Sequence, residues 1–149
     1  MRTFDANVVN HIVNTNPKIM ESIQYDPAEG PFDLQPYCEA VFSCILMDNR
    51  KDAAAFFHWS SPQIWQAHTV FGTTCRGRAA INTAKDMLRE MFTVWDAEQI
   101  WGQTPIDNRA AHWFNRQIGA EYLGEDVHHT IGDVLNFRIR RDDWLLRFG

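Results

Sequence analysis

The segment from Phe71 to Trp95 constrains the fold more than any other part of the chain. It has the pattern of a strand end, a short loop that contains Gly77, and a long amphipathic helix. Apolar residues recur in the helical part at three- and four-residue steps, which is the period of one buried helical face. These residues are Ile81, Ala84, Leu88, Met91, Phe92 and Trp95. The segment therefore predicts a strand–loop–helix unit that is buried on one side.

The loop before this helix consists mostly of small residues. Main-chain N–H groups in the first turn of a helix have no intrahelical partner, and the helix carries a partial positive charge at that end. A junction without bulky side chains is therefore suited to bind an anion such as a phosphate. Arg76 and Arg78 flank Gly77 and add charge that can reach phosphate oxygens. A turn with no ligand is the alternative interpretation of this short pattern.

Helical and strand-like segments alternate through the rest of the chain. Two short helices are predicted, one after Asp5 and one from Pro17 to Ile23, and a third helix opens near Asn108 and ends at Gly119. Strands are predicted at Glu39–Met47, Asp52–Trp59, Ile64–Phe71, Ala97–Gly102, from Tyr122 onward and at Val127–Arg140, with a turn at residues 48–50. Trp144, Leu145 and Leu146 are predicted to close over the core. This order predicts an α+β protein with a mixed sheet.

Composition and charge set further limits. A chain of 149 residues with 45% apolar residues fits one domain, residues 1–149, with a sizeable core. The net charge of −5 argues against general binding to nucleic acids or anionic membranes, because both need concentrated Lys and Arg. The sequence shows neither a signal peptide nor a segment able to span a bilayer. Three cysteines without metal or redox spacing indicate reduced thiols and a cytoplasmic protein.

Two adjacent histidines raise the question of a metal site. His128 and His129 fall in a segment predicted as a strand, where neighbouring side chains point to opposite faces. The two imidazoles are therefore predicted not to converge on one ion, and no metal site is expected.

The second half of the chain, from Gln63 to Phe148, resembles the acetyl-CoA-binding half of the GNAT family of N-acetyltransferases. That family has Gln or Arg at the first loop position, Gly at the fourth, and Gly or Ala at the sixth. Gly77 and Ala79 match the last two, whereas Thr74 stands where Gln or Arg is usual. Asn108 and Gly119 match an Asn that opens the next helix and a Gly eleven residues later. The chain also resembles short GNAT-like proteins of bacteriophages, some of which are tied to head assembly.

The resemblance implies an α/β sandwich with a mixed, mostly antiparallel central sheet flanked by helices. It also implies that acetyl-CoA binds as co-substrate to the loop, with Asn108 and Asn115 alongside. A main-chain N–H in the region from His68 to Val70 would polarise the thioester carbonyl. The implied loop contacts are Cys75, Arg76, Gly77, Arg78, Ala79 and Ala80.

The proton-transfer groups depart from the family pattern. The family often has a Tyr as general acid seven residues after the Asn, and Asn115 occupies that position. An amide group does not release a proton at neutral pH, so Asn115 cannot act as a general acid. His112, Tyr122 or a water is the candidate acid, and a histidine on the helix surface is the alternative interpretation of His112. His68, on the strand before the loop, is the candidate base, since histidine titrates near neutral pH.

The resemblance and the departures from it leave two functions open. The first is an N-acetyltransferase that acts on an amine by direct transfer in a ternary complex. The second is a weakly active or inactive GNAT-like structural or assembly protein, in a phage particle for example. Expected partners are acetyl-CoA, an amine acceptor and, in the second case, another copy or an assembly protein. A phage-encoded protein would act in the host cytoplasm or in the virion.

Overall fold

The computed structural model describes residues 2–3, 6–22, 25–38, 43–47 and 52–149. Within these ranges the strands, numbered in chain order, form one sheet with the order β1-β2-β3-β4-β5-β7-β6. The strands are β1 (Arg2–Thr3), β2 (Ser43–Met47), β3 (Ala53–Ser61), β4 (Ile64–Phe71), β5 (Gln99–Pro105), β6 (Glu121–His128) and β7 (Gly132–Arg140). β4 and β5 pair in parallel, whereas β1–β2, β2–β3, β5–β7 and β6–β7 pair antiparallel. The predicted α+β class with a mixed, mostly antiparallel sheet is confirmed.

The helices follow the predicted order, with additional short ones. They are α1 (Asn7–Thr15), α2 (Pro17–Ser22), a 3-10 turn (Pro27–Glu29), α3 (Gln35–Cys38), α4 (Arg78–Thr93), α5 (Arg109–Gln117) and α6 (Arg141–Phe148). The predicted bounds of β4 are confirmed. The strand predicted at Glu39–Met47 is described only from Ser43 onward, and the turn predicted at residues 48–50 lies outside the described residues.

The chain forms two compact units. The first comprises Met1–His58 and His68–Thr83, and the second comprises Trp59–Ala67 and Ala84–Gly149. β3, β4 and α4 each contribute residues to both units, because the boundaries fall inside these elements. The single domain expected for residues 1–149 stays a prediction. None of the described helices is both long and apolar enough to cross a membrane.

The core of the first unit joins α1 to β3. Val9, Ile12 and Val13 form the buried stripe of α1 and cluster with Ala54 and Phe56 of β3. Full burial of each large aliphatic side chain contributes about 1.5–3 kcal/mol. The apolar spacing of α1 thus fixes which face of the helix packs against β3.

The polar face of α1 holds the segment before α3. Asn14 accepts a hydrogen bond from the Phe32 N–H and donates one to the Phe32 carbonyl oxygen, both at 2.8 Å. One turn earlier, Asn10 accepts from the Leu34 N–H at 2.9 Å and donates to Asp33 Oδ1 at 2.7 Å. Asn14 thus binds both main-chain groups of Phe32, and Asn10 binds the Leu34 N–H and the Asp33 side chain, which fixes an irregular segment.

The core of the second unit centres on Trp144 of α6. Its side chain is 2% exposed, its ring lies 5.6 Å from that of Phe92 in α4, and its indole N–H donates to the Ile118 carbonyl oxygen at 3.1 Å. Asn108 caps α5, because its side chain accepts from the Ala111 N–H at 3.1 Å. Gly119 follows α5 with φ of +95°, as predicted for a helix-ending glycine.

The strand predicted at Val127–Arg140 is confirmed from Gly132 onward, but its predicted start is wrong. Val127 and His128 end β6, a turn follows, and β7 begins only at Gly132. In this turn His128 Nδ1 accepts from the N–H groups of Thr130 at 3.1 Å and Ile131 at 3.2 Å. Turns are usually signalled by Asn, Asp, Pro or Gly. An imidazole in the acceptor role gives no such signal.

The C-terminal prediction is correct for Trp144 and wrong for Leu146. The segment forms α6, and Leu146 is 91% exposed because it lies on the outer side of that helix. Arg141 begins this helix. The strand predicted at Ala97–Gly102 instead spans Gln99–Pro105, so it begins two residues later and continues past the glycine.

Candidate functional site

The loop between β4 and α4 lies in the first unit. It begins with a turn in which the Cys75 N–H donates to the Gly72 carbonyl oxygen at 3.2 Å. Gly77 follows with φ of +57°, in the left-handed region that glycine adopts without strain. The Ile81 N–H then donates to the Gly77 carbonyl oxygen at 3.1 Å, which is the first helical hydrogen bond of α4.

The main-chain N–H groups of residues 77–80 lie at the N-terminus of α4. We call them open because none donates a hydrogen bond to a described residue. A Cβ on Gly77 would meet no atom of the described residues within 4 Å, so none of them fills the space above this glycine. Arg76, Arg78 and Ala79 are exposed, and Ala80 is buried. The two guanidinium groups form no ion pair with any described residue. Chemically, this arrangement suits an anion.

Cys75 is a packing residue of this loop. Its side chain is 4% exposed, and its sulfur lies 3.7 Å from Thr83 Oγ1, one turn into α4. Burial limits access of reagents to the thiol.

His68 and Val70 lie on the C-terminal half of β4, also in the first unit. The His68 side chain is exposed, and its ring centroid lies 6.3 Å from that of Phe56. Val70 is partly buried against the α1–β3 core. Within the second unit, the parallel pairing between β4 and β5 ends at Gln66 and Trp101.

Asn108, His112 and Asn115 lie together on one face of α5, in the second unit. Both His112 and Asn115 are buried, at 8% and 6% exposure. The Asn115 amide donates to Thr104 Oγ1 at 3.0 Å and to the Tyr122 hydroxyl oxygen at 3.4 Å. His112 Nδ1 lies 2.8 Å from the same hydroxyl oxygen. Two predicted site residues thus form one polar cluster with Thr104 and Tyr122.

The partners of His112 fix its tautomer. His112 Nε2 lies 3.1 Å from the Ile106 carbonyl oxygen, which accepts only, so Nε2 carries a hydrogen. In the neutral ring, Nδ1 therefore accepts from the Tyr122 hydroxyl. The interpretation of His112 as a helix-surface histidine is wrong. The spacing of residues 108, 112, 115 and 118 is helical and ends on the buried Ile118, which is the signal that would have placed His112 inward.

The sequence analysis did not identify two residues that the structure adds: Thr104 in the polar cluster of the second unit, and Asp52 at the β4–α4 loop. Thr104 lies on the buried face of β5 with Ile100 and Gly102, and this period-2 alternation is visible in the sequence. Asp52 binds the loop through its carboxylate, which accepts from the main-chain N–H of Thr74 at 2.7 Å and from the Thr74 hydroxyl. No local pattern signals that contact, because 22 residues separate the two partners.

The prediction that His128 and His129 point to opposite faces is wrong. Their rings stack, with centroids 4.5 Å apart, because His128 ends the strand and His129 lies in the turn. His128 Nδ1 is occupied by the turn N–H groups. Among the described residues no group of three or more His, Cys, Asp or Glu side chains is placed to hold a metal ion.

Several solved structures share this fold. The spermidine N-acetyltransferase SpeG of Vibrio cholerae, in complex with CoA and spermine, aligns over 95% of this chain and 92% of its own, with a TM-score of 0.74 and 14% identity. A chimera of Vibrio cholerae SpeG and hSSAT covers 99% of each chain, with a TM-score of 0.73 and 13% identity. A GNAT-family acetyltransferase from Bacillus anthracis covers 94% of this chain and 92% of its own, with a TM-score of 0.68 and 15% identity.

The chain therefore has the GNAT acetyltransferase fold, as the sequence predicted. No protein-family model and no curated protein sequence matches it.

Proposed function

We propose that this protein is an acetyl-CoA-dependent N-acetyltransferase that transfers the acetyl group directly to an amine in a ternary complex. One observation carries the proposal. The main-chain N–H groups of residues 77–80 are open at the N-terminus of α4, in a chain with the GNAT fold. The Vibrio cholerae SpeG of the same fold was solved with CoA and spermine. The acceptor class proposed for this chain is therefore an amine, and the acceptor itself is left to experiment.

The loop is proposed to hold the diphosphate of the co-substrate. The N–H groups of residues 77–80 would donate to phosphate oxygens, and the α4 dipole favours negative charge at this end. The main-chain N–H of Cys75 is not among these donors, because it is bound to the Gly72 carbonyl oxygen. Arg76 and Arg78 are exposed and can add charge-assisted hydrogen bonds. Gly77 matters because its open surface lets a phosphate approach the main chain.

The second half of β4 is proposed to act on the reacting groups. Beyond Gln66 the strand has no ladder pairing with β5, so main-chain N–H groups near Val70 are candidates to polarise the thioester carbonyl. His68 is exposed on the same strand and is proposed as the base that takes a proton from the attacking amine.

The acid of the reaction stays a prediction, with His112, Tyr122 or a water as the candidates. Transfer forms a C–N bond and breaks the C–S bond, and the departing sulfur needs one proton. Within the second unit, the neutral His112 accepts a hydrogen bond from the Tyr122 hydroxyl at Nδ1, 2.8 Å away, and has no proton of its own there to pass on. As the acid, His112 would therefore first have to take up a proton from water. Contacts of Asn108 and Asn115 with the co-substrate stay predictions.

Substitution of Ala79 tests the co-substrate site. Ala79→Glu places a carboxylate among the open N–H groups, and acidic residues in a first turn stabilise a helix. The variant should therefore fold normally and bind CoA at least tenfold more weakly by calorimetry. Ala79→Gln is the matched control, since it has the same size without charge, and should bind within about threefold of wild type. Equal affinities for the two variants would refute the site.

Turnover is tested with acetyl-CoA and a panel of primary amines that includes spermidine and spermine. Chromatographic detection of free CoA and of the acetylated amine is preferred to a thiol reagent, because the protein has three cysteines. Amine-dependent release of CoA supports the enzyme. Failure to cleave the thioester with every amine, together with failure to bind CoA, would overturn the proposal.

A second candidate is an assembly protein that keeps the fold without turnover, in a phage particle for example. Two observations favour it. The Tyr122 hydroxyl is engaged internally with His112, and β6 exposes apolar side chains, with Leu123 at 50% and Val127 at 72% exposure. CoA binding without acetyl transfer to any amine would favour this candidate.

A further inference from the structure

Asp52 precedes β3 and is bound to the start of the β4–α4 loop. Its carboxylate Oδ2 accepts from the Thr74 N–H at 2.7 Å and also from the Thr74 hydroxyl. Its main-chain carbonyl oxygen accepts from the Gly72 N–H at 2.7 Å. Three hydrogen bonds to Asp52 thus tie two loop positions to the residue immediately before β3. All of these residues belong to the first unit.

Gly72 is required by the same contact. A Cβ at position 72 would overlap the Asp52 carboxylate, with Cγ and both oxygens inside contact distance. Gly72 is buried and its φ lies outside the left-handed region, so space and not backbone conformation explains the glycine. The Asp52 carboxylate therefore occupies the space that a Cβ at position 72 would fill.

We infer that Asp52 is a positioning residue for the co-substrate site, an inference that rests on the proposed function. The carboxylate holds Gly72 and Thr74, immediately before residues 77–80, so the open N–H groups keep one arrangement before an anion arrives. Donors that are already fixed bind an anion more tightly than mobile ones, because less conformational entropy is lost on binding. The carboxylate also has the wrong charge for a phosphate site, so its geometric effect must exceed its electrostatic one.

The geometric and electrostatic effects of the Asp52 carboxylate can be separated with two variants, which are expected to change CoA affinity differently. Asp52→Asn can present its amide oxygen to the Thr74 N–H and hydroxyl while it removes the charge, so CoA should bind at least as tightly as to wild type. Asp52→Ala removes the acceptor, so CoA should bind about tenfold more weakly. In turnover, Asp52→Ala should raise KM for acetyl-CoA with little change in kcat, because it touches no reacting atom.

Gly72 supplies an independent check. Gly72→Ala should weaken CoA binding like Asp52→Ala, because the added methyl group displaces the carboxylate. The double variant Asp52→Ala/Gly72→Ala should be no weaker than either single variant, since the methyl group then fills vacated space. Full additivity in this cycle would overturn the inference.

Hydrogen exchange of the peptide that covers residues 72–80 separates this inference from the proposed function. Asp52→Ala should exchange at least fivefold faster there, and Asp52→Asn should match wild type. Asp52→Ala with wild-type exchange or wild-type CoA affinity would overturn the inference, as would Asp52→Asn that binds as weakly as Asp52→Ala. If wild-type protein fails to bind CoA, the proposed function falls, while the exchange result still decides whether Asp52 orders the loop.

Discussion

At the scale of single residues, Asn115 shows how a polar side chain is accommodated inside this protein. Its amide bridges Thr104 of β5 and the Tyr122 hydroxyl of β6, two elements of the second unit that flank β7. A buried amide costs free energy unless it is paired, and here it is paired twice. At the position where the resemblance would place a general acid, this chain therefore has a side chain with a structural role.

Asn115→Ala should lower the free energy of unfolding by about 1–3 kcal/mol, because it leaves Thr104 Oγ1 buried without its donor. Urea unfolding followed by tryptophan fluorescence measures the change. Trp113→Ala is the control on the same helix, since Trp113 is 48% exposed, and should change stability by less than about 0.5 kcal/mol. Equal effects at both positions would contradict the burial argument.

A second residue-scale prediction concerns pH. The side-chain hydrogen bond from Arg138 Nε at 3.1 Å lowers the pKa of Glu121, with the nearby charges of Arg138 and Arg140 acting in the same direction. A lowered pKa in the folded state means that this contribution to stability is present above the unfolded pKa. It is lost as pH falls through the folded pKa. Carboxyl NMR titration should show this, and Arg138→Gln should return the pKa of Glu121 towards its ordinary value.

At the scale of elements, the segments with strong periodicity and local end signals were predicted well. α4 follows from its apolar spacing, β4 from an eight-residue strand-like run, and α5 from Asn108 and Gly119 at its ends. The β6–β7 turn and α6 were missed, because His128 replaces a recognisable turn residue and the chain near residue 140 has no cap side chain.

The candidate site was likewise predictable only in part. The loop was predictable, because the donors are main-chain groups whose position follows from the helix start. The Asp52 contact and the His112–Tyr122 pair depend on residues brought together by tertiary folding, which local pattern does not contain.

The cap of α5 can be tested at this scale. Asn108→Ala should destabilise the protein by about 1 kcal/mol, because the Ala111 N–H loses its acceptor. Asn108→Ser keeps a capping oxygen and should remain close to wild type in urea unfolding. A loss of CoA affinity in Asn108→Ser at unchanged stability would instead indicate the contact with co-substrate that the sequence predicts.

At the scale of the whole molecule, the sequence supplies a separate probe for each compact unit. All six tryptophans lie in the second unit and all three cysteines in the first. If residues 1–149 behave as one domain, the midpoint of unfolding by tryptophan fluorescence should coincide with that by thiol labelling in the same urea series. Separate midpoints would show that the two units unfold independently.

The bulge in β6 has a consequence for behaviour at high concentration. Within the described sheet β6 is the outermost strand on its side, and its register against β7 shifts between Tyr122 and Gly124, where φ reaches +137°. A flat outer strand is a template on which foreign strands add, whereas a kinked one bearing Glu125 and Asp126 resists that addition. This irregularity should thus keep the protein dispersed although Leu123 and Val127 face solvent.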